Sequence, residues 1–261
     1  MAQAKLTKSQ RREAARKEAE RLRKAQEARD KRGRAILIGV VAAVLALIIV
    51  AVVVIAKQAN RTLLSDFEGA MPANSNLHGG IPFGADGAGS TNEGAPEVDI
   101  YLDFMCPYCG DFEQVNGPDL AQAAADGEAT VIYHPLNYLD RFSEGTEYST
   151  RTAAAFAYVA TEAPDTALDF MAALFAQQPE EGSSGLTDEE ITDIALEAGV
   201  PQDVADSMTD GTYAEWVAVA SEQASKHDGI GGTPTVLIDG EEWDGNRTNP
   251  GELLADIQAA G

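Results

Sequence analysis

The sequence predicts an α/β fold in which a βαβ unit and a closing ββα unit flank a block of helices, all preceded by one transmembrane helix. Three observations predict it. Val98, Ile100 and Leu102 alternate with Asp99, Tyr101 and Asp103, the period-2 signal of a strand, and the run gives way to helix-like sequence at a Cys-x-x-Cys pair. Thr130 to His134 is a second β-rich run, ended by Pro135. Finally, Ala35 to Ala56 is 22 residues of Ala, Ile, Leu or Val apart from Gly39.

As a helix, that apolar run spans ~33 Å, enough for a hydrocarbon core of ~30 Å. A cleaved signal peptide is the rival. Its apolar region usually runs ~7–15 residues and ends in a small-x-small site. The run here is longer, 34 residues precede it, and Ala56-Lys57-Gln58 is a poor cleavage site. An uncleaved anchor at 35–56 is expected. Charge sets its direction: residues 1–34 hold 13 of the 19 Lys and Arg but 5 of the 42 Asp and Glu. Basic flanks stay cytoplasmic, so residues 57–261, with six basic and 37 acidic side chains, are expected outside. Disulfides persist in that compartment.

The basic segment 1–34 reads as a solvated helix ending near Gly33, with Glu13/Lys17, Glu20/Lys24 and Glu27/Lys31 at the favourable i,i+4 spacing. It faces anionic lipid. It lacks aromatic residues and a fold of its own, so no nucleic-acid partner is expected. Residues 57–78 read as an extracytoplasmic tether. The ordered domain is expected over 79–261, opening on a short edge strand around Ile81 to Gly84, with Pro82 suited to an edge. The Gly/Ser/Ala-rich stretch from Gly84 to Gly94 reads as loop.

Strand, helix and strand over Val98 to His134 make a βαβ unit with parallel pairing. Its helix is expected to break near Gly117-Pro118. Residues 135–232 contain almost nothing strand-like, and the helical insertion is placed at about 148–228. Arg151 to Ala163 is Ala-rich. Leu168, Met171, Ala172 and Phe175 fall at i, i+3, i+4, i+7. Thr187 and Glu190 make a capping box. Thr212 to Lys226 is a further helix with Trp216, Val219 and Ala220 on one side. A hairpin around Gly240 and a last helix, Gly251 to Ala260, close the domain.

Cys106 and Cys109 are the only cysteines. Two thiols two residues apart at a helix start can close on each other and trade bonds with outside thiols. Half a zinc site is the bland alternative, but structural zinc wants four ligands. There is no second pair, and His78, His134 and His227 are not at ligand spacing. A merely stabilising disulfide gains little from so short a loop.

Asp103-Phe104-Met105-Cys106-Pro107-Tyr108-Cys109 and Gly231-Gly232-Thr233-Pro234-Thr235 together resemble the DsbA-like thiol–disulfide oxidoreductases. These have a thioredoxin-like fold with an inserted helical block. The first motif is similar to the family's strand-to-active-site junction, the second to its cis-proline loop. Tyr133-His134-Pro135-Leu136 and the helical span are similar to its second strand and insertion. The resemblance covers roughly residues 79–261. It implies catalysis by Cys106 and Cys109, support from Pro107, Tyr108, Thr233 and Pro234, and neither organic cofactor nor metal. One departure is plain: many thioredoxin-fold enzymes carry a buried acid six residues before the first cysteine, and here that residue is Ile100. Asp103 is only three before, and alternation turns it from the Ile100 and Leu102 face. Glu113, one turn past Cys109, or water is left to move protons.

At a helix start the Cys106 thiolate meets unpaired N–H groups and the positive dipole end, so its pKa is expected below that of a free thiol. Pro107 fits the first turn, where no N–H partner is lost. Cys109, less exposed, is expected to resolve mixed disulfides. Tyr108 tunes the thiol and meets substrate, and His134 is structural or on the surface. The expected partners are exported proteins with cysteines, a membrane redox partner, and lipid through 35–56. The expected function is a membrane-anchored dithiol oxidase. The alternatives are a reductase or isomerase of the same fold, or, in a different class, a tethered binding or chaperone-like module.

Overall fold

The computed structural model describes residues 8–59 and 61–261; residues 1–7 of the basic segment lie outside it. The chain divides into two compact units, one up to Arg61 and the other Thr62–Gly261.

The first unit is a single helix, α1 (Lys8–Ala59). It does not end near Gly33. One glycine costs a helix only ~1 kcal/mol relative to Ala, and strong helix formers lie on both sides. The ion pairs Glu13–Lys17 (3.0 Å) and Glu20–Lys24 (2.8 Å) form as the spacing predicts, but Glu27 pairs back with Arg23 (3.4 Å). The helix is long and apolar enough to cross a membrane. Its Leu37, Ile38 and Leu47 are exposed, a surface suited to lipid.

In the second unit, order begins at Thr62, well before residue 79. Thr62 Oγ1 accepts the Ser65 N–H (3.1 Å) and caps a single 3₁₀ turn, Leu63–Asp66. Leu63 N–H donates to Gln223 Oε1 (2.8 Å), and Leu64 is buried in the core. Gly79, at φ +80°, brings the chain so close to Ala220 that a Cβ would sit 2.5 Å from the Ala220 Cβ. The stretch expected as a tether is therefore partly packed, with Thr62, Leu64 and Pro72 buried and Glu68 to Ala70 exposed.

β1 (Ile81–Gly84), β2 (Gly87–Ala88) and β3 (Glu97–Leu102) lead into α2 (Pro107–Ala125) and β4 (Thr130–Pro135). The insertion follows as α3 (Tyr148–Glu162), α4 (Ala167–Ala176), α5 (Asp188–Glu197), α6 (Gln202–Ala205) and α7 (Ala214–Lys226). β5 (Thr235–Ile238), β6 (Glu241–Glu242) and α8 (Glu252–Ala260) close the fold. Among the described residues the sheet has the order β2-β1-β4-β3-β5-β6. β3 and β4 pair in parallel, Ile100 opposite Tyr133, as the βαβ pattern requires. The other pairings are antiparallel.

Three expectations change. β1 is not the edge strand, because Gly87–Ala88 folds back on it. Pro82 is still tolerated: its carbonyl, and hence its missing N–H, faces β2, where the Gly89 N–H reaches it at 2.7 Å. α2 does not break at Gly117-Pro118. The carbonyl that Pro118 leaves without an N–H belongs to Gln114, on the exposed side, while Phe112, Asn116 and Leu120 bury the other side. In α4 the buried residues are Ala167, Phe170, Met171, Leu174 and Phe175, so Met171 and Phe175 of the expected stripe are buried while Leu168 is half-buried and Ala172 exposed. The same spacing started one residue earlier describes the first four. The capping box at Thr187 forms on both arms, and Trp216 is buried.

Candidate active site

Cys106 is the N-cap of α2, with Pro107 at its first position. Both thiols are free and buried. Cys106 Sγ donates to the Thr233 carbonyl (3.3 Å), and the Thr233-Pro234 peptide is cis. Residues 127 apart in sequence therefore meet as the two motifs suggest. Tyr108 is 69% exposed, the outward face of the pair. With Asp111 it faces Gly245 to Thr248 across a depression of about 330 Å³.

The two thiols differ in acidity. A hydrogen bond from the Cys109 thiol does most to bring Cys106 down from 9.0 to about 6. Burial opposes it, and Thr233 and the N–H groups of Cys109 and Tyr108 add to it. Burial pushes Cys109 well above the ordinary thiol value, and the neighbouring Cys106 adds to that. At pH 7 Cys106 is therefore about nine-tenths thiolate and Cys109 is neutral. Alkylation of the reduced chain by iodoacetamide is expected to follow one ionisation with its midpoint near pH 6. A midpoint above 8, in stopped-flow or mass-spectrometric timing, would contradict the geometry.

Asp103 lies past the end of β3, so strand alternation no longer places it, and it is fully buried. Its N–H points at Cys109 Sγ (3.5 Å). Its carboxyl accepts Met105 N–H (2.9 Å), Leu139 N–H (2.9 Å) and the Ser149 hydroxyl (2.7 Å). Burial outweighs these bonds and pushes it up to about 7. Glu113 is also buried and is pushed up to about 7 by burial alone. Ile100 is buried and apolar, so no carboxyl occupies the position six before Cys106.

Three supporting residues carry no sequence signal of their own. The Gln178 side-chain amide, from the insertion, donates to the Phe104 and Cys106 carbonyls (2.9 Å each). Gly110 makes room for it, since a Cβ there would lie 2.4 Å from Gln178 Oε1. Arg247 donates to the Pro234 carbonyl (3.2 Å) and is itself held by Asn116, whose amide donates to the Arg247 carbonyl (2.8 Å). Tyr138 donates to the Ile230 carbonyl (3.0 Å) at the base of the same loop. His134 is buried, stacks on Tyr101 (4.0 Å) and pairs with Asp99 (2.8 Å), so it is structural as expected.

A family model described as thioredoxin matches residues 90–257. The chain belongs to the thioredoxin family. Among solved structures it is similar to reduced DsbA from Mycobacterium tuberculosis, with 30% identity and a TM-score of 0.59, over 69% of this chain and 91% of that one. DsbG from the same organism gives 31% and 0.59, over 69% and 86%. MdbA from Actinomyces oris, at 24% identity and TM-score 0.61 over 78% and 98%, shares the fold. The thioredoxin-family fold here is therefore that of the DsbA-like thiol–disulfide oxidoreductases. The serine/threonine-protein kinase PknE of M. tuberculosis is 33% identical over 156 residues, 57% of this chain and 26% of the kinase. The chain thus spans about a quarter of the length of the curated relatives it matches.

Proposed function

We propose that the protein is a membrane-anchored, extracytoplasmic thiol–disulfide oxidoreductase that oxidises dithiols in exported proteins through Cys106 and Cys109. The observation that carries this reading is the unequal thiol pair: Cys106 at a helix N-cap, stabilised as a thiolate by donors from Cys109, Thr233 and Tyr108, with a neutral Cys109 behind it. In the oxidised enzyme, a client thiolate attacks Cys106 Sγ and breaks its bond to Cys109. Cys109, whose pKa is raised, takes a proton as it leaves. The client's second thiolate then attacks the client sulfur of the mixed disulfide and expels Cys106. Two electrons pass from client to enzyme, and a membrane redox partner must take them away. Cys106 is a good leaving group because its thiolate is stabilised. No organic cofactor or metal is needed.

Pro107 starts the helix without losing a hydrogen bond, Tyr108 presents an exposed ring to the client, and the Thr233-Pro234 loop offers backbone for an extended segment. For the chain as a whole we place 1–34 in the cytoplasm, 35–56 in the membrane and the thioredoxin-like unit outside, supported by the charge asymmetry.

The same thiolate argument favours the oxidase direction of electron flow. A depressed pKa stabilises the reduced fold above the ordinary thiol pKa, and that gain is lost as pH falls through about 6. The disulfide form has no such thiolate. Reduced protein is thus expected to melt above oxidised protein at pH 8, with the gap closing below pH 6. A reduction potential near ~−120 mV supports the oxidase, while one near ~−270 mV would make the chain a reductase. Cys109→Ala is expected to trap Cys106 in mixed disulfides with clients, seen as high-mass bands that thiol reductants dissolve. A trap that captures no cysteine-bearing exported protein would sink the assignment of clients.

A further inference from the structure

α2 and α4 flank a cavity of about 630 Å³ that also touches Pro107, Gly110 and Gln178 and meets the Tyr108 depression at Asp111. Its volume is that of a small-molecule site rather than of a packing defect. Leu168, Met171, Ala172 and Phe175 supply an apolar wall from α4.

The polar groups of the cavity are one-sided. Glu113 is nine-tenths buried, and its Oε2 has no hydrogen-bond partner among the described residues. The Gln114 carbonyl loses its helical donor because Pro118 has no N–H, and both residues line the same space. Asp111 and Asp169 stand exposed at the rim, and no Lys, Arg or His lines the cavity. The amide protons of Gln178 are already spent on two carbonyls. Acceptors and negative charge with no cationic donor to match them, beside an apolar wall, define the complementary ligand: a protonated amine on a compact hydrocarbon body.

We propose that the cavity between α2 and α4 is a binding site for a small apolar amine, whose ammonium group bonds to Glu113 while its hydrocarbon part lies against Leu168, Met171 and Phe175. The ammonium supplies donors to Glu113 and to the freed Gln114 carbonyl. Occupancy of the site is read without any thiol reaction.

The test uses the full chain in a non-ionic detergent, with benzylamine as probe and calorimetric titration as readout. Benzylamine is expected to bind at least about tenfold more tightly than benzyl alcohol or phenylacetate, the margin of one charge-assisted hydrogen bond. Glu113→Gln is expected to remove that margin. Affinity for the amine should also rise from pH 6 to pH 8 as Glu113 ionises; the groups facing it are Tyr133 on β4, Asp169 on α4 and Asp111 on its own helix. Should Glu113→Gln fail to fold, Ala172→Trp keeps Glu113 and fills the cavity from an exposed position. It is expected to abolish binding while the protein still melts cooperatively and exchanges thiols. Equal binding of amine and alcohol, or undiminished binding by Ala172→Trp, overturns the proposal.

Discussion

Cys106→Ser is expected to reduce the proposed dithiol oxidation to the uncatalysed background while leaving the melting curve cooperative. The reaction passes through a sulfur–sulfur bond at this position, and an oxygen there cannot form one. Acidity makes the loss complete: the donors that stabilise a thiolate near pH 6 leave a serine hydroxyl protonated. Cys109 cannot take over, because it is buried and its pKa is raised, so it is neither accessible nor ionised. Loss of peptide-dithiol oxidation, measured by fluorescence or mass, with the fold intact, is the expected outcome. A variant that oxidised dithiols at the parent rate would dismiss the chemistry outright. One that restored full function in cells would instead favour a tethered binding module.

The next largest effect falls on stability. Asp103→Ala removes the acceptor for two backbone N–H groups and one hydroxyl, all in the interior. Each orphaned donor costs roughly 1–3 kcal/mol, so a loss of about 3 kcal/mol is expected, or roughly 10 °C for a unit of this size. The sign with pH is fixed by the raised pKa. A carboxyl that ionises near 7 when folded and near 3.8 when unfolded contributes most below the lower value, and that contribution is lost as pH rises through about 7. Asp103→Ala is therefore expected to cost more at pH 5 than at pH 8, by denaturant titration of the reduced chain. A loss that grows with pH would mean that the carboxyl is held as an anion by its donors.

What could be read from the sequence was local. The β3 alternation, the Thr187–Glu190 cap and the proline at the helix start are written in neighbouring residues, and each appears as expected. The meeting of Cys106 with Thr233 was legible through resemblance, since spacing alone does not join residues so far apart. What escaped depends on distant partners. Nothing near Leu64 announces that it packs into the core with α7 close by, so the first ordered turn reads as tether. Asp103 looks solvent-facing until Ser149 and Leu139 arrive from the far end of β4 and the insertion. Gln178 has no motif, and only the small residue at 110 hints that something must cross α2 there. Pro118 misled because it is judged by its missing N–H, whereas the side on which the freed carbonyl falls decides the outcome.

The sheet's two margins are its shortest strands. β2 has two residues, and β6 is a pair of glutamates. Long rows of free N–H and C=O groups invite foreign polypeptide to add as another strand, and short or charged borders prevent it. A protein whose proposed clients arrive unfolded meets many such polypeptides. Its borders leave them no ledge on which to accumulate.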